Sequence, residues 1–214
     1  ARLPTQRGLR RQLPAQLRTR VLSVPQPRVR ALLFDFDGTL ADTAADLCTA
    51  VNRLRLERGL PELALAEARP FASSGARGLL RVAFDMTPEH AEYQAMRDAF
   101  LEHYAVCLCE RTALFPGIEQ LLQHLAARNI AWGIVTNKAT RFTERIVAEL
   151  GLTPDCVVCG DTTPHSKPHP APLLHAAQTL ALAPGSCWYV GDDLRDIQAA
   201  QAAGMRSVAV EYGY

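Results

Sequence analysis

No apolar run in this 214-residue chain approaches the roughly 20 residues a helix needs to cross a bilayer, so no transmembrane segment is expected. The first 30 residues lack Asp and Glu altogether, and they also lack the apolar core of about 7 to 15 residues that marks a secretory signal. They hold eight arginines, from Arg2 to Arg30, which leaves −7 on the remainder against a formal total of +1. That acidic remainder argues against nucleic acid as a main partner. The basic arm, interrupted by Pro and Gln, reads as a solvated extension, with contact to nucleic acid or an anionic surface, or a transit-like leader, as the alternatives. Internal repeats and low-complexity tracts are missing too, which sets aside solenoids and arrays.

Cysteine is present but not in a disulfide-like density. Six in a chain of this length do not imply a crosslinked framework, and Cys107-x-Cys109 and Cys156-x-x-Cys159 lack the glycine-rich knuckle of a zinc site. Buried free thiols in a reducing cytoplasm are the expectation.

What is there is a rhythm. Short apolar runs at residues 29–34, 130–135, 156–159, 187–190 and 207–210 have the character of strands buried on both faces of a parallel sheet. Between the last four lie helix-like segments at 141–150, 171–182 and 194–203, the last stopped by Gly204. Alternation of this kind predicts a doubly wound, mostly parallel α/β sheet. The first gap differs. Residues 44–112 show no comparable strand and read as amphipathic helices at 44–58, 74–84 and 88–108. About seventy residues exceed a crossover connection, so a small helical cap is inserted there. Pro116-Gly117 then restarts the main domain with a helix at 118–128.

Ligands of open α/β sheets sit beyond the carboxyl ends of the strands. That rule gathers four separated features into one site. The first strand runs into Asp35-Phe36-Asp37-Gly38-Thr39, within ALLFDFDGTLADT, and the second into Thr136-Asn137-Lys138. Ser166-Lys167-Pro168 follows the third, and Gly191-Asp192-Asp193 follows the fourth, with Asp196 four positions past Asp192. Two carboxylates two residues apart at the end of a buried strand repel each other unless cations hold them. If the extended backbone persists past Asp35, period two puts Asp35 and Asp37 on one side.

These motifs, in this order and covering nearly all of residues 28–214, resemble the haloacid-dehalogenase-like superfamily of hydrolases, in its phosphoglycolate-phosphatase-like branch with a helical cap after the first strand. The resemblance implies a magnesium-dependent phosphatase of small phosphorylated metabolites, cytoplasmic, with no nucleic-acid or membrane partner. It assigns residues 29–43 and 113–214 to the catalytic core, 44–112 to the cap, and 1–28 to the basic extension. By it Asp35 is the nucleophile and Asp37 the general acid/base. Thr136 and Lys167 hold the phosphoryl group, and magnesium is bound by Asp35, Asp192 and the backbone carbonyl of Asp37. Asp193 and Asp196 support the site, as metal neighbours or by orienting Lys167. Gly38 and Thr39 offer backbone N–H groups to phosphate, and Asn137 supports substrate or loop geometry. Asp42 and Thr43 are both candidates to cap the helix that starts at Ala44.

Chemistry fits those roles. Attack by a carboxylate on phosphorus splits hydrolysis into two easier steps through an aspartyl-phosphate, and attack of one anion on another needs nearby positive charge. A dehalogenase needs neither an acid two residues after its nucleophile nor a divalent cation, so Asp37 favours phosphate. A phosphomutase uses the same two aspartates and stays open. A non-catalytic binding module on this fold would be favoured by loss of Asp35 or Asp37, and neither is lost.

Substrate choice is expected in the cap, where Ser73-Ser74-Gly75-Ala76-Arg77-Gly78 precedes an apolar helix. Ser74, Gly75 and Arg77 could recognise a carboxylate or sugar oxygens. Residues 54–61, 74–78, 132–138, 191–197 and 212–214 are similar to the bacterial N-acetylmuramic acid 6-phosphate phosphatases, which share the catalytic residues; a phosphoglycolate-type ester is therefore the first expectation and this amino-sugar phosphate the close alternative. Tyr214 follows directly on the fifth strand, where members of the branch usually continue through another strand and helix.

Overall fold

The computed structural model describes residues 28–214; the arginine arm expected at 1–28 lies outside them but for Arg28. Five apolar runs become parallel strands, β1 (Ala31–Phe34), β4 (Ala131–Val135), β5 (Cys156–Val158), β6 (Cys187–Gly191) and β7 (Arg206–Ala209). They assemble in the order β5-β4-β1-β6-β7. β1 is central because its register pairs Ala31 with both Ala131 and Cys187. Alternation along β1 feeds two cores. Leu33 packs with Val135, Tyr189 and Leu173 on one face, while Phe34 packs with Trp132, Ile134 and the insert on the other. Gly133 on β4 is required by close approach, since a Cβ there would lie 2.4 Å from the Cys156 sulfur. Burial pushes the Cys156 thiol up to about 12, so it behaves as a small apolar group.

Helices α5 (Ile118–Ala127) and α6 (Thr140–Glu149) cover the face that carries Phe34, through Ile118, Leu125, Phe142 and Ile146. Helices α7 (Ala171–Thr179) and α8 (Leu194–Ala202) cover the other through Leu173, Ala176, Ala199 and Ala200. The helix expected to reach residue 182 stops earlier, because Ala181 takes a left-handed conformation. Among the described residues no helix is long and apolar enough to cross a membrane.

The insert contains α1 (Ala44–Glu57), the short α2 (Leu65–Ala68), a 3₁₀ turn at Arg69–Ser74, α3 (Gly75–Phe84) and α4 (Tyr93–Val106). The last was expected from residue 88. It begins at Tyr93 because hydrogen-bonded turns, His90 N–H to Thr87 and Tyr93 N–H to His90, occupy the preceding residues. α1 packs against α3 and α4. Two very short strands, β2 (Ala41–Asp42) and β3 (Ala113–Leu114), pair antiparallel where the chain leaves and re-enters the sheet region.

Asp46 of α1 fastens that return. Its buried carboxylate accepts the N–H groups of Arg111 and Thr112 at 2.9 and 3.0 Å and the Thr112 hydroxyl at 2.6 Å. Asp46→Ala orphans all three donors and is expected to cost about 3 kcal/mol in urea unfolding. A loss below about 0.5 kcal/mol would mean that water replaces the carboxylate.

Candidate active site

β1 delivers Asp35 to the carboxyl edge of the sheet, where its N–H still bonds to Val190 on β6. The extended backbone does not persist to Asp37. The N–H groups of Leu40 and Ala41 both bond back to the Phe36 carbonyl, so a tight turn, and not period two, sets the two carboxylates against one cavity. A buried Phe36 anchors the turn from inside. Gly38 sits in it at φ +86°, which a side chain would strain.

Around Asp35 the charges interlock. Lys167 is buried, and its ammonium reaches Asp35 at 2.8 Å, Asp196 at 2.7 Å and the Tyr189 hydroxyl at 2.7 Å. The Tyr189 hydroxyl in turn donates to the Val135 carbonyl at 2.6 Å. Burial pushes the Asp35 carboxyl up to about 7, against the pull of Lys167. Burial opposes the charge on Lys167 as well, but Asp35 and Asp196 hold it above the ordinary amine range. Asp196, on the first turn of α8, also accepts the Asp193 N–H, so it orients the lysine from a fixed helix terminus. Asn137 clamps the lysine loop by exchanging two bonds with the Lys167 backbone at 2.9 and 3.0 Å. Thr136 is buried at the end of β4, and its hydroxyl accepts the Lys138 N–H.

Asp37 has its own set of partners. The Thr43 hydroxyl donates to it at 2.5 Å and the Lys138 ammonium lies 2.8 Å away. Thr43 is therefore committed to Asp37 and makes no side-chain cap. The Ala44 N–H at the start of α1 is served by Asp42 at 3.4 Å and by the Tyr214 hydroxyl at 3.0 Å.

Asp192 is the remaining carboxylate of the sheet edge. Oxygens of Asp35, Asp192 and Asp196 lie within 4.8 Å of one another. Asp192 accepts from the Thr39 hydroxyl, the Tyr214 N–H and the Ser73 hydroxyl, at 2.8, 3.1 and 3.3 Å. Among the described residues no Lys or Arg pairs with it, and burial raises its carboxyl above the usual range. The Gly38 backbone packs directly against it, since a Cβ there would fall 2.3 Å from its oxygen. An all-oxygen donor set with an unneutralised carboxylate fits a hard divalent cation such as magnesium. Both oxygens of Asp196 are occupied, one by Lys167 and one by the Asp193 N–H, whereas the Lys167 bond of Asp35 falls on one oxygen only and leaves the other available, beside Asp192, to such an ion.

The cavity has a volume of about 390 Å³. Asp35, Asp37, Thr136, Asn137, Lys167, Asp193 and Asp196 line its floor, and Ser74, Gly75 and Arg77 its insert side. Gly38 and Thr39 stand behind it, against Asp192. Asp193 caps α8 and forms a two-point pair with Arg195, whose guanidinium also donates to the Ser73 carbonyl of the insert at 3.0 Å. Sequence reasoning placed Lys138 in the strand-end motif without giving it a role, and left out Tyr189, Arg195, Arg97 and Arg141, all at the cavity or its first neighbours. Of these four, Tyr189 carries a local signal, a tyrosine inside a strand buried on both faces, whose hydroxyl must find a partner.

The family model described as haloacid dehalogenase-like hydrolase matches residues 32–210. A phosphoglycolate phosphatase of Xanthomonas campestris is 47% identical over 187 residues, covering 86% of this chain and 84% of that protein. An N-acetylmuramic acid 6-phosphate phosphatase of Pseudomonas putida is 44% identical over 189 residues, covering 87% and 85%. The crystal structure of a predicted phosphoglycolate phosphatase from Haemophilus somnus superposes with a TM-score of 0.77 at 29% identity, covering 87% of each chain.

Proposed function

The chain belongs to the haloacid dehalogenase-like hydrolase family and is a phosphatase of small phosphorylated metabolites, and from that premise we propose the roles of its residues and the ester it takes. The observation that carries the reading is the division of the site between two lysine-held aspartates, Asp35 on Lys167 and Asp37 on Lys138.

Asp35 attacks phosphorus and forms an aspartyl-phosphate. Lys167 keeps it oriented and, with the Thr136 hydroxyl, binds phosphoryl oxygens whose charge spreads in the transition state. Asp37 gives a proton to the departing alkoxide and takes one from the water that cleaves the intermediate. Asp35, Asp192 and the Asp37 carbonyl would hold magnesium, which supplies charge neutralisation between the attacking carboxylate and the phosphate. The sheet region, residues 29–43 and 113–214, carries this chemistry, and residues 44–112 close it from above.

Two substrates share the phosphoester and a carboxylate. A two-carbon phosphoglycolate would leave most of the cavity of about 390 Å³ to water. The larger N-acetylmuramic acid 6-phosphate would fill it and place its lactyl carboxylate among Arg77, Arg97 and Arg141. The expected result is a kcat/KM on the amino-sugar ester at least about tenfold above that on 2-phosphoglycolate, with magnesium present. The reverse ratio assigns the two-carbon ester. Release from neither, nor from a wider panel of phosphometabolites, would remove the assignment.

A further inference from the structure

The chain has two lysines against 21 arginines. Cations elsewhere are guanidinium groups, and both ammonium groups are buried at one site. Lys167 has its role above; Lys138 has none. Its side chain is 8% exposed and bonds to Asp37. Its ammonium lies 4.8 Å from the ring centre of Tyr104, on helix α4 of the insert. Tyr104 is itself buried, and among the described residues its hydroxyl has no partner at hydrogen-bonding geometry, which leaves Lys138 as its charged neighbour. Burial works against the charge on Lys138, and the adjacent Asp37 holds it protonated nonetheless. A compact ammonium fits between a carboxylate and a ring face where the planar fork of arginine does not.

We propose that Lys138 is a positioning residue that fixes the Asp37 carboxylate on the leaving-group side of the cavity and is held in turn by the ring of Tyr104, which makes the proton donor's geometry depend on the seating of the helical insert. A sequence-local partner, Thr43, holds the same oxygen from the start of α1. Lys138 adds a cation from β4's end, and Tyr104 the tie to α4. The inference rests on Asp37 as the proton carrier.

Leaving groups separate this role from plain phosphate binding. An alkyl phosphate needs its alkoxide protonated, whereas p-nitrophenyl phosphate releases a stable phenolate, and kcat/KM reports the steps up to that departure. Lys138→Met is expected to lower kcat/KM on the better of the two alkyl esters above by about 100-fold, and on p-nitrophenyl phosphate by less than about fivefold. Lys138→Arg restores charge without the fit and should show the same selectivity at about tenfold; it carries the test should the Met variant fail to fold. In an Asp37→Asn background, Lys138→Met should cost less than about threefold more, because its action passes through Asp37. Tyr104→Leu should also lose activity selectively on the alkyl ester.

Equal losses on both esters, or a change confined to KM, would make Lys138 a phosphate-binding cation and overturn the proposal. Full additivity with Asp37→Asn would do the same. An unselective Tyr104→Leu would remove the tie to the insert. If Asp37→Asn alone shows no leaving-group selectivity, the fault lies with Asp37 as proton carrier, and not with Lys138.

Discussion

Asp35→Asn is expected to reduce phosphate release at least about 10⁴-fold while leaving the fold intact. The amide is nearly isosteric and can still meet Lys167, but it cannot attack phosphorus. Burial raises the Asp35 carboxyl above its ordinary value of 3.8. A raised acid means that the folded state binds more protons than the unfolded one between pH about 4 and about 7. Its contribution to stability is therefore present at low pH and is lost as pH rises through the folded value. Without magnesium, the wild type should lose melting temperature across that window more steeply than Asp35→Asn, which carries no such proton. Added magnesium should raise the wild-type melting temperature more than that of the variant. Turnover retained within about tenfold would take the nucleophile's role from Asp35.

Lys167→Met should damage turnover less than Asp35→Asn and stability far more. Its ammonium sits between Asp35 and Asp196 and on the Tyr189 hydroxyl, with 2% of the side chain exposed. Removing it leaves two facing carboxylates in a buried site, at a cost of about 3 to 5 kcal/mol. If Lys167 binds the phosphoryl oxygens as proposed, its loss should lower kcat by about 10² to 10³ or more. The two effects come apart in a double variant. Asp196→Asn added to Lys167→Met removes one of the stranded charges, so it should recover part of the stability and none of the activity. Recovery of neither would mean that Asp196 is not the charge Lys167 neutralises.

Much of this site was readable because its residues arrive in contiguous pieces at strand ends. A run such as Ala31-Leu-Leu-Phe announces a strand by apolar continuity, and the polar group that follows lands at the carboxyl edge wherever the strand is placed. Asp35, Thr136 and Asp192 each follow such a run, so parallel pairing alone brings their backbones together, whereas Lys167 lies on a loop well past β5 and is brought in by the Asn137 clamp. The helix start at Tyr93 was less legible, since turns compete with helix at Thr87 to Glu92 and no periodicity distinguishes them in advance.

By itself the sequence determined the sheet, the insert between its first two strands, and the residue types waiting at each strand end, because apolar periodicity and chain order act over a few neighbours. Only the tertiary structure decided which group partners which. Lys138 meets Asp37 across 101 positions, Arg111 and Thr112 close on Asp46 across more than sixty, and Lys167 divides itself between Asp35 and Asp196. The turn after Phe36, and not strand pleat, set the two aspartates against one cavity. Such pairings depend on distances fixed by packing of the whole core, and in a buried site those distances set which carboxylate is charged, which is free for a metal, and which carries the proton.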